Sequence, residues 1–599
     1  MNQVALPITP ARLRSLRRKR GFCAALPALV ILAGCVDWTH TAWVAGALCM
    51  LLGLALVYER TSRMVERAFV AEATPAIVHS LDFRASGIPN EGRTVLAVPT
   101  MLTDVARLAK VLATLESNLL IANDSNVVAA LLTDLADAER PESTEGERRL
   151  MELVAAGVGS LNSRFGRSCV VWLHRERTWS VTQRAWIGHE RKRGKIEALT
   201  KLVVTGATEA FTHIGGPVDV LRPARFILCM DEDTFLTAEA VQDLVGVLMH
   251  PAHRPELDEA TNSLVSGHAS AIGGLFPDPL SAAPWRLGTF MTGTRPASGP
   301  HPGMTRSALF ELTGQGNYPG KGLFDAHMAW RLLHQRLPLE RVLSHDTLEG
   351  LLLRPVHVSR VALLEGFPGD YAALCERRHR WARGDWQNAL LWTAGGLSRR
   401  FGRARAVGSL VIGDQIRVTT EPVIAAAFGA AAMFVDERFA AALFAWLIAV
   451  MLSPAANQLV INIRLSRMRS DALHLKRKII VFSLKAARAQ LVQLTLVPQS
   501  AALMIDAIAR TLWRWCRGQR LLDWQSSLDI ETKLKHRCAR GTLAGLVVAV
   551  TPWFVSRTLY AHVTVSGAVL GLLGLLGPVT AQALVRRAPA ARLEGVKPV

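Results

Sequence analysis

Apolar residues are distributed along this chain in two ways. Long apolar runs occupy 21–36 and 42–58, split by D-W-T-H-T; 421–435 and 438–461, split by D-E-R; and 542–560 and 563–585. Each is close to the ~20 residues that cross a bilayer, and the paired runs read as hairpins. Their outer flanks are basic: Arg12, Arg14, Arg17, Arg18, Lys19 and Arg20 before the first, Arg399, Arg400, Arg403 and Arg405 before the second pair, and Lys533, Lys535, Arg537, Arg540, Arg586 and Arg587 around the third. The breaks within pairs are nearly free of positive charge apart from Arg438 and Arg557. This asymmetry predicts six transmembrane spans, with both termini and the stretch 59–415 in the cytoplasm. Inside that stretch the apolar runs are short and β-branched. R-T-V-L-A-V-P-T-M-L from Arg93, V-A-A-L-L-T-D-L-A-D-A around Asp134, C-V-V-W-L-H at 169–174 and R-F-I-L-C-M-D-E-D at 225–233 are separated by helical patterns. They predict a Rossmann-like, mostly parallel α/β sheet. From 479 to 525 a helical period is interrupted by Lys485, Arg488, Asp506 and Arg510, which predicts amphipathic helices in the membrane interface or a packed helix pair. The expected organisation is a basic segment and hairpin over 1–60, a cytoplasmic α/β domain over 61–405, a membrane pair with interfacial helices over 406–540 and a last hairpin and tail over 541–599.

Composition adds limits. At 599 residues the chain exceeds what one core usually holds. Half the residues are hydrophobic, a fifth are charged and the mean hydropathy is +0.22, which suits a membrane protein carrying a large water-facing domain. The net charge of +20 raises nucleic-acid binding, but the excess flanks the apolar runs, only four Tyr are present and aromatics do not interleave with basic residues. That pattern lacks a base-stacking platform, so no nucleic-acid partner is expected. Eight Cys without a C-x-x-C indicate neither a disulfide framework nor a zinc site, and a reducing compartment fits. Leu32-Ala33-Gly34-Cys35 matches a lipoprotein cleavage box. A second apolar run follows at once, so Cys35 reads as a small helix residue.

Candidate chemistry gathers at the predicted strand ends. Pro99-Thr100, Asp134 and Asp231 all fall where open α/β sheets bind ligands. Asp231-Glu232-Asp233-Thr234 follows a buried run and offers carboxylates to a hard divalent cation, Mg²⁺ or Mn²⁺, holding a diphosphate; an acidic helix N-cap is the alternative. In E-R-K-R-G-K-I-E-A-L, at 190–199, Lys195 or Arg193 could neutralise that diphosphate at a helix N-terminus, or form a solvated basic surface. G-Q-G-N-Y-P-G-K-G-L-F-D, at 314–325, adds flexible glycines and Lys321, a pattern that by itself marks a turn. In S-H-D-T-L-E-G, Asp346 is the candidate general base, Glu349 competes for the role, and His345 orients or packs. Arg380-Trp381, within E-R-R-H-R-W-A-R-G-D-W-Q at 376–387, pairs a charge for a diphosphate with an indole face for a sugar ring. Trp381 and Trp386 could equally be core aromatics of an amphipathic helix.

These pieces, in this order, resemble the processive inverting glycosyltransferases that include cellulose and hyaluronan synthases. The resemblance is closer to the glycosyltransferase region of cyclic β-1,2-glucan synthases, carried by V-P-T-M-L, H-E-R-K-R-G-K, P-G-K-G-L-F-D, L-S-H-D-T-L-E-G, R-H-R-W-A-R-G-D-W-Q, I-A-R-T-L-W-R at 508–514 and L-L-D-W at 521–524. It implies a bacterial inner-membrane, multi-pass enzyme that polymerises glucose from UDP-glucose onto a growing glucan acceptor, as a β-1,2-linked chain. It further implies Asp134 at the nucleotide, Asp231 and Asp233 at the sugar-diphosphate and metal, Asp346 as base, and Arg380 with Trp381 at the diphosphate and acceptor; beside these, the residue pattern itself offers Pro99, Thr100 and Lys195 to the nucleotide sugar and Trp386 to the acceptor. Two positions depart from the pattern. Arg377 stands where the broader family has Gln, and Phe324 where the synthases have Tyr. Those synthases also carry a phosphorylase-like domain, so the expectation here is a polymerising module partnered by the bilayer and by a separate glycan-processing protein. The same chemistry with another nucleotide sugar, linkage or a lipid or protein acceptor is the first alternative. A catalytically inactive membrane scaffold is the second, and the intact carboxylates argue against it.

Overall fold

The structure, a computed structural model, describes residues 76–278, 307–368, 371–431 and 490–523, with 46–56 and positions 58, 281, 445, 488 and 576. In chain order the strands are β1 (Thr94–Leu102), β2 (Val127–Leu135), β3 (Val170–His174), β4 (Arg177–Ser180), β5 (Ala185–Gly188), β6 (His213–Gly215), β7 (Phe226–Cys229), β8 (Thr234–Leu236), β9 (Glu256–Asp258), β10 (Ser263–Ser266), β11 (Ser270–Pro277), β12 (Gly322–Asp325) and β13 (Val356–Glu365). The helices are α1 (Val105–Ala122), α2 (Glu145–Phe165), α3 (Arg191–Thr205), α4 (Ala240–Met249), α5 (Ala308–Thr313), α6 (Ala326–Leu333), α7 (Asp346–Leu353), α8 (Tyr371–Trp392), α9 (Arg405–Ala431) and α10 (Val497–Arg517).

Nine strands form one sheet in the order β6-β3-β2-β1-β7-β12-β11-β13-β8. The β3-β2-β1-β7 half is parallel throughout, as the sequence pattern predicts; β12 then runs antiparallel between β7 and β11, which makes the whole sheet mixed. The strands β1 and β2 read as unbroken apolar runs because helices cover both faces. Alternate side chains of β1 divide accordingly: Leu96 and Val98 pack with α1, α2 and α4, while Val95 and Ala97 pack with α3 and α6. Local signals fix the first helices. Asp104 caps α1 by accepting from the Arg107 amide, and Thr144 with Glu147 forms a reciprocal capping box at α2.

The helices α8, α9 and α10 form a further layer beside the sheet, with Ala382, Val423, Met504 and Ala507 in contact. Thus α10, from the segment read either as interfacial or as a packed helix pair, packs one face on α8 and α9 and leaves Ile505, Leu512 and Trp513 exposed. Among the described residues no helix is long and apolar enough to cross a membrane. This overturns the expected multi-pass inner-membrane location and the embedded transmembrane segments. The run starting at 421 illustrates why: its described part belongs to α9, which begins sixteen residues earlier and carries Asp414, Arg417, Glu421 and Pro422. Residues 46–56 are helical. The runs at 21–36, 438–461, 542–560 and 563–585, apart from positions 445 and 576, and Cys35 lie outside the described residues.

Candidate active site

A cleft of about 770 Å³ opens at the carboxyl ends of β1, β2 and β7, lined by Pro99, Thr100, Asp134, Asp231, Asp233, Lys321, Asp346, Arg380 and Trp381 among others. Parallel register builds it. Thr100 pairs with Thr133, Met101 with Asp134, and Ala97 with Cys229, so the strand ends carrying the first carboxylates share one edge.

At the nucleotide end, Asp134 is buried. Its carboxylate accepts from Lys195 Nζ at 2.5 Å and from Arg175 Nη2 at 3.3 Å, and Lys195 also donates to the Thr100 carbonyl at 2.7 Å. Burial pushes the Asp134 pKa up, but Lys195 and Arg175 outweigh it and hold the carboxyl below the usual range. Lys195, expected near a diphosphate, therefore neutralises Asp134. Arg193 is buried against Glu190 and does not line the cleft.

The acidic triplet splits three ways. Asp231 accepts from Lys192 Nζ at 2.6 Å and pairs with Lys321 Nζ at 2.8 Å. Burial opposes its charge, but the two lysines depress its pKa strongly. Glu232 pairs with Arg107 at 2.7 Å and accepts from the Thr100 hydroxyl. Asp233 has no ion pair or side-chain hydrogen bond among the described residues, and burial together with the neighbouring Asp231 charge raises its pKa. A carboxyl beside a second carboxylate, lacking a cation of its own, is the donor set a hard divalent ion fits; one or two protein carboxylates plus phosphate oxygens are usual for Mg²⁺. Asp231 and Asp233 thus fit the expected metal, Asp233 the better of the two.

Asp346 opens α7 and faces the cleft, while Glu349, its competitor, is outside the lining. His345 Nδ1 lies 3.3 Å from the Asp346 carboxylate and 2.9 Å from that of Glu349. Burial works against a charged imidazole there, but the two carboxylates prevail and raise its pKa. Donor atoms of these three residues lie within 4.8 Å of one another, a possible metal-ligating group. The imidazole already sits between the two carboxylates. Gly320, at φ +75°, belongs to the loop facing Asp346; a Cβ there would lie 2.5 Å from Asp346 Oδ1, so only glycine lets that loop approach so closely.

The long motif lies on α8. Arg377 pairs with Glu365, which also meets Lys321 at 3.2 Å, and the Arg377 guanidinium sits 4.6 Å over the Trp381 ring. Arg380 lines the cleft, and burial, with the charge of Arg377, pushes its pKa down to about 10. Trp381 is 46% exposed, a platform open to a ligand. Trp386 does not join it: its Nε1 donates to Thr419 Oγ1 of α9 at 3.0 Å, because five helical residues turn it about 140° away. Lys192, Asp385 and Gln415 are among the cleft residues that escaped sequence reasoning. Lys192 could have been found from its place one turn before Lys195. Asp385 follows Trp381 at i,i+4 spacing. Gln415, in a run that read only as flanking helix, gave no signal.

Sheet and cleft together define a Rossmann-like α/β protein whose ligand site combines flanked carboxylates with an Arg-Trp platform. No protein-family model matches the chain. The chain is similar to cyclic β-(1,2)-glucan synthase NdvB of Rhizobium meliloti, 28% identical over 539 residues, which cover 87% of this chain and 18% of that protein. That similarity agrees with the motifs quoted above, and the chain spans less than a fifth of that relative's length.

Proposed function

We propose that this chain is an inverting glycosyltransferase that moves glucose from UDP-glucose onto a growing β-glucan, 1,2-linked as in the relative's name. The observation that carries the reading is the convergence of Asp134, Asp231, Asp233, Asp346, Arg380 and Trp381 on one cleft, from four separate stretches of a chain similar to a glucan synthase. In this reading Asp134, held by Lys195 and Arg175, receives the nucleotide. Lys192, Lys321 and Arg380 face the diphosphate. Mg²⁺ or Mn²⁺, held by Asp231 and Asp233 with the diphosphate oxygens, would supply further neutralisation of the leaving charge. Asp346 takes the proton of the acceptor hydroxyl as its oxygen attacks the anomeric carbon; the bond from that carbon to the phosphate oxygen breaks, and its electron pair leaves with UDP. Trp381 stacks the acceptor ring. No side chain bonds to the sugar, so one displacement inverts the anomeric centre and an α-linked donor yields a β-glucan.

The test is incubation of the purified protein with labelled UDP-glucose, a divalent cation and glucan oligosaccharides, followed by methylation analysis of the product. Release of UDP with label in a β-1,2-linked glucan is expected. Consumption of a different nucleotide sugar in preference to UDP-glucose would overturn the donor, another linkage would overturn the product, and no transfer from any donor would overturn the reading.

A further inference from the structure

Along α8, Arg377, Trp381 and Asp385 recur at intervals of four residues, and all three line the cleft. The first is tied through Glu365 and Lys321 to Asp231, the diphosphate end of the site. The ladder therefore runs from the donor's phosphates, over the indole, to Asp385. At that far end Asp385 is half-buried yet has no ion pair or hydrogen bond among the described residues. Across the cleft, Gln415 of α9 donates its Nε2 to Thr347 Oγ1 at 2.7 Å, which leaves Oε1 buried without a hydrogen bond. Thr347 directly follows Asp346. One buried carboxamide oxygen and one half-buried carboxyl, neither with a hydrogen bond among the described residues, thus line one cleft beside a proposed base and an aromatic platform. A carboxyl group, a carboxamide oxygen and an indole face make up the chemistry that recognises a sugar ring, whose hydroxyls donate and accept while its C–H face stacks.

Resting on the transferase reading above, we propose that Asp385, together with Gln415, grips the hydroxyls of the acceptor sugar and so determines which hydroxyl is presented to Asp346. The pair sets acceptor and linkage specificity. Asp385 acts in its neutral form, as donor and acceptor at once. Charged groups lining the cleft with it include Arg377 and Arg380 of its own helix, Asp346 of α7, and Lys192, Asp231, Asp233, Lys321 and Glu365 at the diphosphate end, while α9 presents the neutral Gln415 and the mutually paired Asp414 and Arg417. Burial, and none of these charges, pushes its pKa up to about 7.

The test is calorimetric binding of sophorose, a β-1,2-linked glucose disaccharide, to the full chain saturated with UDP. Asp385→Leu and Gln415→Leu are each expected to weaken sophorose binding at least about tenfold, the scale of one lost buried hydrogen bond, with UDP affinity reporting an intact fold. Asp385→Asn, which keeps a neutral donor and acceptor, is expected to bind sophorose nearly as wild type does. Between pH 6 and pH 8 the wild type should lose about tenfold in affinity as the neutral carboxyl is depleted, while Asp385→Asn stays flat. A merely structural aspartate would give neither the Asn rescue nor its flat profile. Unchanged sophorose binding in Asp385→Leu, a pH profile shared by wild type and Asp385→Asn, or no sophorose binding by the wild type would overturn the proposal. Binding needs no turnover, so a chain that binds sophorose through Asp385 without consuming UDP-glucose would refute the transferase reading alone.

Discussion

Gly384 offers a way to move the proposed base without touching it. A Cβ added there would lie 2.0 Å from Ser344 Oγ and 2.7 Å from Ser344 Cβ. The hydroxyl can rotate away, but the Cβ cannot. Non-bonded carbons rest about 3.5 Å apart at closest, so α8 and the chain at Ser344 must separate by nearly an ångström. That junction is stiff: Asn388 Nδ2 donates to the Ser344 carbonyl at 2.7 Å, and the Leu343 amide donates to Gln387 Oε1 at 2.9 Å. The displacement is therefore passed to Asp346, two residues on, relative to Arg380 and Trp381 on α8. A misplacement of about 1 Å costs roughly 100-fold in rate, equivalent to about 2.7 kcal/mol of transition-state stabilisation. Gly384→Ala should lower kcat for glucose transfer by that factor while leaving UDP affinity near wild type, because Asp134 and Asp231 are held by β2, α3 and the loop before β12. Adding Ser344→Gly removes both clashing atoms and should restore most of the rate. Transfer by Gly384→Ala close to the wild-type rate, or a double variant no faster than the single one, would refute the reasoning.

Asp231→Asn and Asp233→Asn should each reduce transfer by orders of magnitude in a chain that still unfolds cooperatively, and EDTA should do the same to the wild type; full activity in EDTA would remove the metal from the account. Lys195→Met leaves Asp134 with Arg175 alone, and breaking a buried pair costs about 3–5 kcal/mol, read as a lower urea midpoint. Because the folded chain depresses the Asp134 pKa, its contribution is present above the unfolded carboxyl value of about 3.9 and fades as pH falls below it. The wild-type urea midpoint should accordingly fall faster below pH 4 than that of Asp134→Asn.

The parallel half of the sheet was legible because each of its strands is a buried apolar run with polar ends, and those ends delivered Thr100, Asp134 and Asp231 to one edge. The mixed half was not. Residues 322–325 read as the end of a glycine loop, and nothing local says that Phe324 packs within a sheet or that β12 runs antiparallel to β7. Charge partners were the least legible part of the site. A basic turn announces lysines, but only the fold assigns Lys195 to Asp134 and Lys192 to Asp231, one helical turn apart on α3. The same limit applies to α8: spacing separates Trp381 from Trp386, yet which of them meets the cleft depends on where α9 lies. Hydropathy misled at 421, where the described part of an apolar run belongs to a longer, charged and packed helix.

The account's central claim, that Asp346 is the base of a glucosyl transfer in this cleft, is tested most directly by comparing Asp346→Asn with Glu349→Gln for both glucose transfer and UDP binding. General base catalysis is worth about 10²–10⁴-fold, so Asp346→Asn should lose transfer on that scale with UDP affinity retained. Glu349→Gln, which alters only the partner of His345, should lose far less. An active Asp346→Asn beside an inactive Glu349→Gln would contradict the claim.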